Sequence, residues 1–533
     1  MKRLLYIKKK LQQLYDSIPN EKLKKNLLNA LPFWIGSFIT GLAAVVYAKL
    51  FSWAEHGTRF VFHHASWLFF IITPFCFWLA WHLVVKYAPF ARGSGIPQVS
   101  AAIELANPKT KGRVRLLLNL KLLVIKVFSS LVMVFGGGAI GREGPTIQIS
   151  AAIFKKINDL LPEWYPKISK RNMIITGAAS GLASAFNTPL GGIVFAIEEL
   201  TKTHLNFFKS ALLTGVIISG LTALNLLGPY LYLGYPQLTN LPIIIVVPVV
   251  ICAIMAGLSG SWMGEAILYI LKRKNRLKKY YKHVLYVVVC GLIMAAMAIF
   301  INEHAFGSGK EIMVNTLFTA DKEMPWYMPI VRVIGPIISF STGAAGGVFA
   351  PSLSAGASIG ALCAEWFHLT DSETNLIVLC GMVGFLTGIT RSPFTSSILV
   401  IEMTNSHNII FHLMLSALLA NLFATIISRH SFYDVLKEKY VEEVRSKYDK
   451  KIKPTVNCHV EQRETSKQVT TWVNYLLTCV PNQGPSYPNT PALIITLSNY
   501  HIINYFIHFL CVRHVVQPVG PSYRTILAPS GGS

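Results

Sequence analysis

Long apolar runs alternate with short polar, mostly basic segments along most of this chain. The stretches Leu31 to Ala48, Trp67 to Val85, Ile243 to Met263, Val284 to Ile301 and Ile409 to Ile427 carry no acidic or basic charge. Each approaches the roughly 20 residues that a helix needs to cross the hydrocarbon of a bilayer. Since lipid offers backbone groups no partner, spans of this kind must be helices. The pattern predicts an all-α, polytopic membrane protein.

Between the clean spans lie apolar segments interrupted by Gly and Pro, at Gly93 to Pro97, Gly136 to Pro145, Gly177 to Gly192, Gly343 to Pro351 and Gly384 to Pro393. A break at membrane depth frees backbone groups that must be buried in protein or line a wet cavity, so the breaks mark the working site. Two of them share a layout: small residues, then Gly-x-x-x-Pro, then an apolar helix, at Gly141 to Pro145 and at Gly347 to Pro351. Long hairpins precede each, Leu31 to Val85 and Ile243 to Ile301, as expected for two inverted repeats with the site at their interface.

Composition strengthens the membrane reading. The chain has 533 residues, 52% hydrophobic and 14% charged, too apolar for a soluble enzyme of this size. Its formal charge of +24 sits in segments flanking apolar spans, where Lys and Arg set orientation, so it reads as topology and not as a nucleic-acid surface. Lys2 to Lys10 with Lys22 to Lys25, Lys272 to Lys282 and Arg429 to Lys453 are then cytoplasmic, and the Ser52 to Ser66 connection faces outward. Met1 to Lys25 lacks the continuous apolar core of a signal peptide and reads as a cytoplasmic amphipathic helix. The eight cysteines are scattered singly, which predicts neither a metal site nor structural disulfides. From about Pro454 the sequence turns polar and Pro-rich, with no recognisable regulatory pattern; nothing in it points to a part in transport.

Gly136-Gly137-Gly138-Ala139-Ile140-Gly141 fits the dinucleotide fingerprint literally, but it follows the membrane-length stretch Leu116 to Phe135 instead of a short strand, so that reading fails on context. The glycines permit a tight turn, and Pro145 suits the first position of a helix. The free amides and dipole at such a start favour an anion, and Glu143 is placed where its own carboxylate can occupy the anion site. A carboxylate at this depth is costly and marks function, the plain alternative being a structural pair with Arg142. Gly346-Gly347-Val348-Phe349-Ala350-Pro351 offers a second helix start with no charged side chain, where the amides of Val348 and Phe349 suit an anion. In Gly93-Ser94-Gly95-Ile96-Pro97, spacing alone does not separate Ser94 as ligand from Ser94 as helix cap. Lys126 lies inside Leu116 to Phe135, as a source of positive potential or as a snorkelling or structural lysine. His82 and His304 read as residues at the membrane edge rather than as proton relays.

The segments Gly-Ser-Gly-Ile-Pro, Gly-Arg-Glu-Gly-Pro and Gly-Gly-x-Phe-Ala-Pro, in this order with Glu198-Glu199 after Gly191-Gly192, resemble the signature set of the CLC chloride channel and transporter family over roughly Leu31 to Tyr440. The resemblance implies the CLC fold, two inverted-topology repeats with broken and re-entrant helices. It divides the chain into a cytoplasmic N-terminal segment (1–29), a transmembrane domain (30–440, repeats about 30–228 and 241–428) and a tail (441–533). It also implies a homodimer in a bacterial plasma membrane with one pore per subunit, no cofactor, and chloride and protons as the transported species.

By the same resemblance, chloride is held by Ser94, the amides around Val348 and Phe349, and Tyr433, which alone would read as an interfacial tyrosine. Glu143 is the gate that anion and proton share. Glu199 is the internal proton-transfer acid and Glu198 its helper, a pair that would otherwise read as ordinary helix-end charges. An acid at Glu199 favours antiport over a passive channel of the same fold, and Ser94 favours chloride. Gln98 departs from the glutamate common in relatives, which bears on the inner electrostatics. The backbone of the motifs is supplied by Gly93, Gly95, Pro97, Gly141, Arg142, Gly144, Pro145, Gly347 and Pro351. A membrane-embedded hydrolase with Glu143 as general base finds no nucleophile-base pair or metal set in the sequence.

Overall fold

A computed structural model describes residues 21–107, 112–201, 209–228, 232–239, 241–319, 322 and 324–452, all within one compact unit, Met1–Pro454. The expectations for residues 1–20 and for the tail beyond 452 lie outside the described residues. The first half runs through α1 (Glu21–Ala65), α2 (Phe69–Tyr87), α3 (Ile96–Glu104), α4 (Leu120–Phe135), α5 (Glu143–Leu160), α6 (Lys170–Phe186), α7 (Pro189–Phe195) and α8 (Lys209–Leu227). The second runs through α9 (Val246–Lys274), α10 (Tyr280–Phe300), α11 (Lys310–Phe318), α12 (Met328–Ser341), α13 (Phe349–Trp366), α14 (Asp371–Thr390), α15 (Pro393–Thr404) and α16 (Ile410–Ile427), followed by α17 (Phe432–Ile452).

The halves correspond helix by helix. Within each, α1 packs on α8 as α9 packs on α16, and α5 on α6 as α13 on α14; across the halves, equivalent helices meet, α2 with α10 and α7 with α15. Equivalent elements in mutual contact are what a two-fold axis between the halves produces, the arrangement of an inverted repeat. At that axis Gly141 and Gly347 exchange both backbone hydrogen bonds, N–H to O at 2.7 and 2.8 Å, the reciprocal pattern of an antiparallel pair.

Local sequence fixes where the helices start. Asn119 caps α4 by accepting from the Leu122 N–H, and Thr370 with Glu373 forms a capping box on α14, each satisfying an amide that the first turn leaves unpaired. Among the described residues, seven helical stretches are long and apolar enough to cross a membrane. The window on α14 is 94% buried and that ending in α16 only 33%. The bundle therefore has a lipid-facing shell around helices enclosed by protein.

Several expectations change. The Ser52 to Ser66 connection is helical as far as Ala65, a continuation of α1, because polar residues such as Glu55 and Arg59 are good enough helix formers and find partners across the unit. The boundary at 29/30 thus falls inside α1, and that at 440/441 inside α17. Gly177 lies within α6 and Gly384 within α14, and the breaks there narrow to Asn187-Thr188 and Arg391-Ser392. Pro145 occupies the third helical position of α5 instead of the first; its missing N–H still belongs to the four that a helix start leaves free.

Candidate functional site

Three chain breaks converge where the halves meet. The segment ahead of α3 is stitched to the segment ahead of α13 by Gly93 N–H to Ala344 O (2.9 Å) and Gly346 N–H to Gly93 O (3.2 Å). The Gly141-Gly347 pair joins the latter to the start of α5. Consequently the N-termini of α5 and α13 face a common centre, and each helix start brings unpaired amides and a positive dipole end.

Glu143 is 1% exposed and lies at this centre. Its carboxylate rests against Gly141, where a Cβ would collide with Oε2, with Ala350 and Pro351 on the other side. It faces the amides of Glu143 and Ala350, one from each helix start. Arg142 is turned aside and donates to the Ala48 carbonyl at 3.0 Å, while its charge still reaches Glu143.

Ser94 packs its hydroxyl against Gly144, where a side chain would leave it no room. Tyr433, in the first turn of α17, is 2% exposed and brings its hydroxyl beside that of Ser94. The two hydroxyls meet each other and have no further protein partner, and Tyr433 lies within electrostatic reach of Glu143 and Glu199 alike. Val348 and Phe349 are buried as N-cap and first residue of α13, and the Phe349 ring packs on Phe186 at 5.6 Å between centroids. Ser94, Tyr433, Glu143 and the start of α13 thus line one region.

Lys126 is fully buried and donates to the carbonyls of Ala91 and Gly93 at 3.1 and 3.0 Å. It does not snorkel; it grips the backbone that leads into Ser94. Gln98 donates its amide to the carbonyls of Phe90 and Arg92, a task that a carboxylate could not perform. His82 bonds the Tyr280 hydroxyl at an exposed position.

The acidic pair divides. Glu199, 7% exposed, accepts from Ser392 Oγ at 2.7 Å. Glu198 points elsewhere and accepts from the amides of Phe394 (3.2 Å) and Thr395 (2.7 Å), capping α15. Glu402 of α15 returns the contact, accepting from Leu190 (3.0 Å) and Gly191 (2.8 Å) at the start of α7.

Sequence reasoning missed Glu402, because its partner lies 211 to 212 residues away. It also missed a second Gly-Ser-Gly at Gly307 to Gly309, which lacks the following Pro. There the N–H and hydroxyl of Ser308 both donate to Glu55, at 3.0 and 2.7 Å. The buried Arg332 grips the carbonyls of His304 and Phe306 just before it, as Lys126 does before the first Gly-Ser-Gly. The repeated Gly-Ser-Gly was the available signal.

Residues 76–425 match the sequence profile of the family described as "Voltage gated chloride channel". The chain is 30% identical over 415 residues to the "H(+)/Cl(-) exchange transporter ClcA" of Cronobacter sakazakii, covering 75% of this chain and 86% of that one. The protein of the same name from Citrobacter koseri is 28% identical over 419 residues, covering 75% and 85%. Among solved structures, a slow cyanobacterial Cl−/H+ antiporter superposes with a TM-score of 0.67 at 23% identity, covering 78% of this chain and 98% of its own. A CLC-type fluoride/proton antiporter gives 0.65 at 18%, covering 77% and 98%. These likenesses carry the fold; the relatives carry the family.

Proposed function

The chain belongs to the voltage-gated chloride channel family, and from that premise we propose that it is a secondary active transporter exchanging chloride for protons. In this reading Glu143 is the shared gate. Ionised, its carboxylate occupies the anion site between the starts of α5 and α13; protonated, it loses the attraction of the two dipoles and yields the site to chloride. Ser94 and Tyr433 donate to the anion on the inner side, with the amides of Val348 and Phe349 beside it. Glu199 delivers protons to Glu143 by a route separate from the anion. Lys126 holds the Ser94 segment in place.

The observation that carries this reading is a buried carboxylate, Glu143, set against the amides of two helix starts, those of α5 and α13, beside the hydroxyls of Ser94 and Tyr433. The reading extends to a homodimer with one pore per subunit in a bacterial plasma membrane. Glu198, which caps α15, enters it as a structural neighbour of the proton route.

A chloride gradient imposed on proteoliposomes at clamped voltage is expected to drive protons uphill in the opposite direction. Chloride flux with no accompanying proton movement would replace the exchanger by a passive channel of the same fold.

A further inference from the structure

Ser392 precedes Pro393 as the N-cap residue of α15, a position where serine ordinarily accepts a hydrogen bond from an amide of the first turn. Here its side chain makes no such bond. The amides it would serve, those of Phe394 and Thr395, are taken by Glu198, and the hydroxyl points instead to Glu199 Oε2 at 2.7 Å, both residues being buried. The equivalent position in the first half is Thr188, before Pro189. It likewise makes no cap, since Glu402 takes the amides of Leu190 and Gly191. Its hydroxyl is buried without a partner, and the residue after Glu402 is Met403. The hydroxyl is set to work only where an acid exists to receive it.

We propose that Ser392 is a positioning residue for proton transfer: released from capping by Glu198, its hydroxyl fixes the Glu199 carboxylate and sets the pH range over which Glu199 supplies protons. The proposal rests on the reading of Glu199 as the internal proton acid. A hydrogen bond donated to a carboxylate favours its ionised form, so Glu199 releases its proton more readily with Ser392 present. Three charged groups among the described residues nearby have partners of their own. Glu198 is held by α15, Glu402 by α7, and the Arg391 guanidinium by the carbonyls of Asn421, Ala424 and Ser428. Tyr433 faces Glu199 from α17. Of the helices packed on the Ala196–Thr201 turn, α7 carries no titratable side chain and α6 only Lys170 and Arg171 at its far start.

The test measures chloride-driven proton flux in proteoliposomes against the pH on the Glu199 side for the wild type, Ser392→Ala, Ser392→Thr and Glu199→Gln. Ser392→Ala is expected to keep chloride flux and to move half-maximal proton flux to higher pH by about one unit, with Ser392→Thr restoring the wild-type profile. A Ser392→Ala profile that superposes on the wild type, while Glu199→Gln uncouples protons, overturns the role of Ser392 and leaves that of Glu199 standing. Full coupling in Glu199→Gln overturns both. Should Ser392→Ala fail to fold, Ser392→Cys, a weaker donor, is expected to give a smaller shift of the same sign, and an unshifted profile overturns the proposal equally.

Discussion

Glu143 opens α5 in the first half, and Phe349 opens α13 at the equivalent place in the second; Glu199 follows the capping acid Glu198, and Met403 follows the capping acid Glu402. Around these differences the halves agree closely. Asn187 and Arg391 both end their helices in the left-handed region, at φ 60° and 64°, a proline starts the next helix in each, and Lys126 and Arg332 both grip carbonyls before a Gly-Ser-Gly. The shared part is backbone: helix starts, turns and the groups that hold them. It brings two helix starts, with the amides their first turns leave free, to one centre and needs no charge to do so. The two acids with no counterpart, Glu143 and Glu199, both belong to the first half, whereas Glu402 of the second half matches the capping acid Glu198.

Exchanging the acids is the sharpest way to break this comparison. Glu143→Ala is expected to abolish chloride-driven proton movement while chloride flux persists, whereas Phe349→Leu keeps the exchange ratio; both follow from parallel chloride-electrode and pH recordings on proteoliposomes. Next in size, Glu199→Gln is expected to remove most proton coupling and leave chloride binding within about twofold by calorimetry. Met403→Gln, its counterpart, leaves coupling as in the wild type; uncoupling by Met403→Gln would mean that the route does not depend on which half carries the acid.

The two Gly-Ser-Gly segments differ in what their hydroxyl meets. Ser94→Ala is expected to weaken chloride binding about tenfold, the loss of one hydrogen bond to a charge, while Ser308→Ala, whose partner is Glu55, leaves chloride affinity unchanged in the same calorimetric titration. Smallest is the effect expected where the halves agree. Glu198→Ala and Glu402→Ala each uncap one helix start and are expected to cost about 0.5 to 2 kcal/mol, seen as similar falls in the thermal unfolding midpoint in detergent. A much larger fall for one would show that the reciprocal caps are not equivalent.

Much of this was legible in the sequence. Apolar runs located the spans, and the motifs carrying Ser94, Glu143 and Phe349 named residues that converge in space. Glycine was the misleading signal. Gly177 and Gly384 suggested breaks, yet both are helical, and their missing side chains admit the Phe154 ring and Ala256 respectively, the close approach that small residues permit between membrane helices. The polar stretch after Ser52 suggested a loop because polarity was taken for irregularity, although a helix may carry Glu55 and Arg59 when tertiary partners await them. Glu198 was grouped with Glu199 because they are adjacent. Successive residues on a helix point in different directions, and only the packing of α7 on α15 shows one as a cap and the other as a buried acceptor. Nothing local to Ser392 reveals that the capping of α15 is done from the other half.

The exchange of caps between α7 and α15 also sets a clock on biogenesis. The amides of Leu190 and Gly191 have their acceptor in Glu402, and a ribosome adding about 5 to 20 residues per second needs about 10 to 40 s to reach it. During that interval the newborn first half sits in the bilayer with the start of α7 still open, so the first turn of that helix settles only once the second half has reached Glu402.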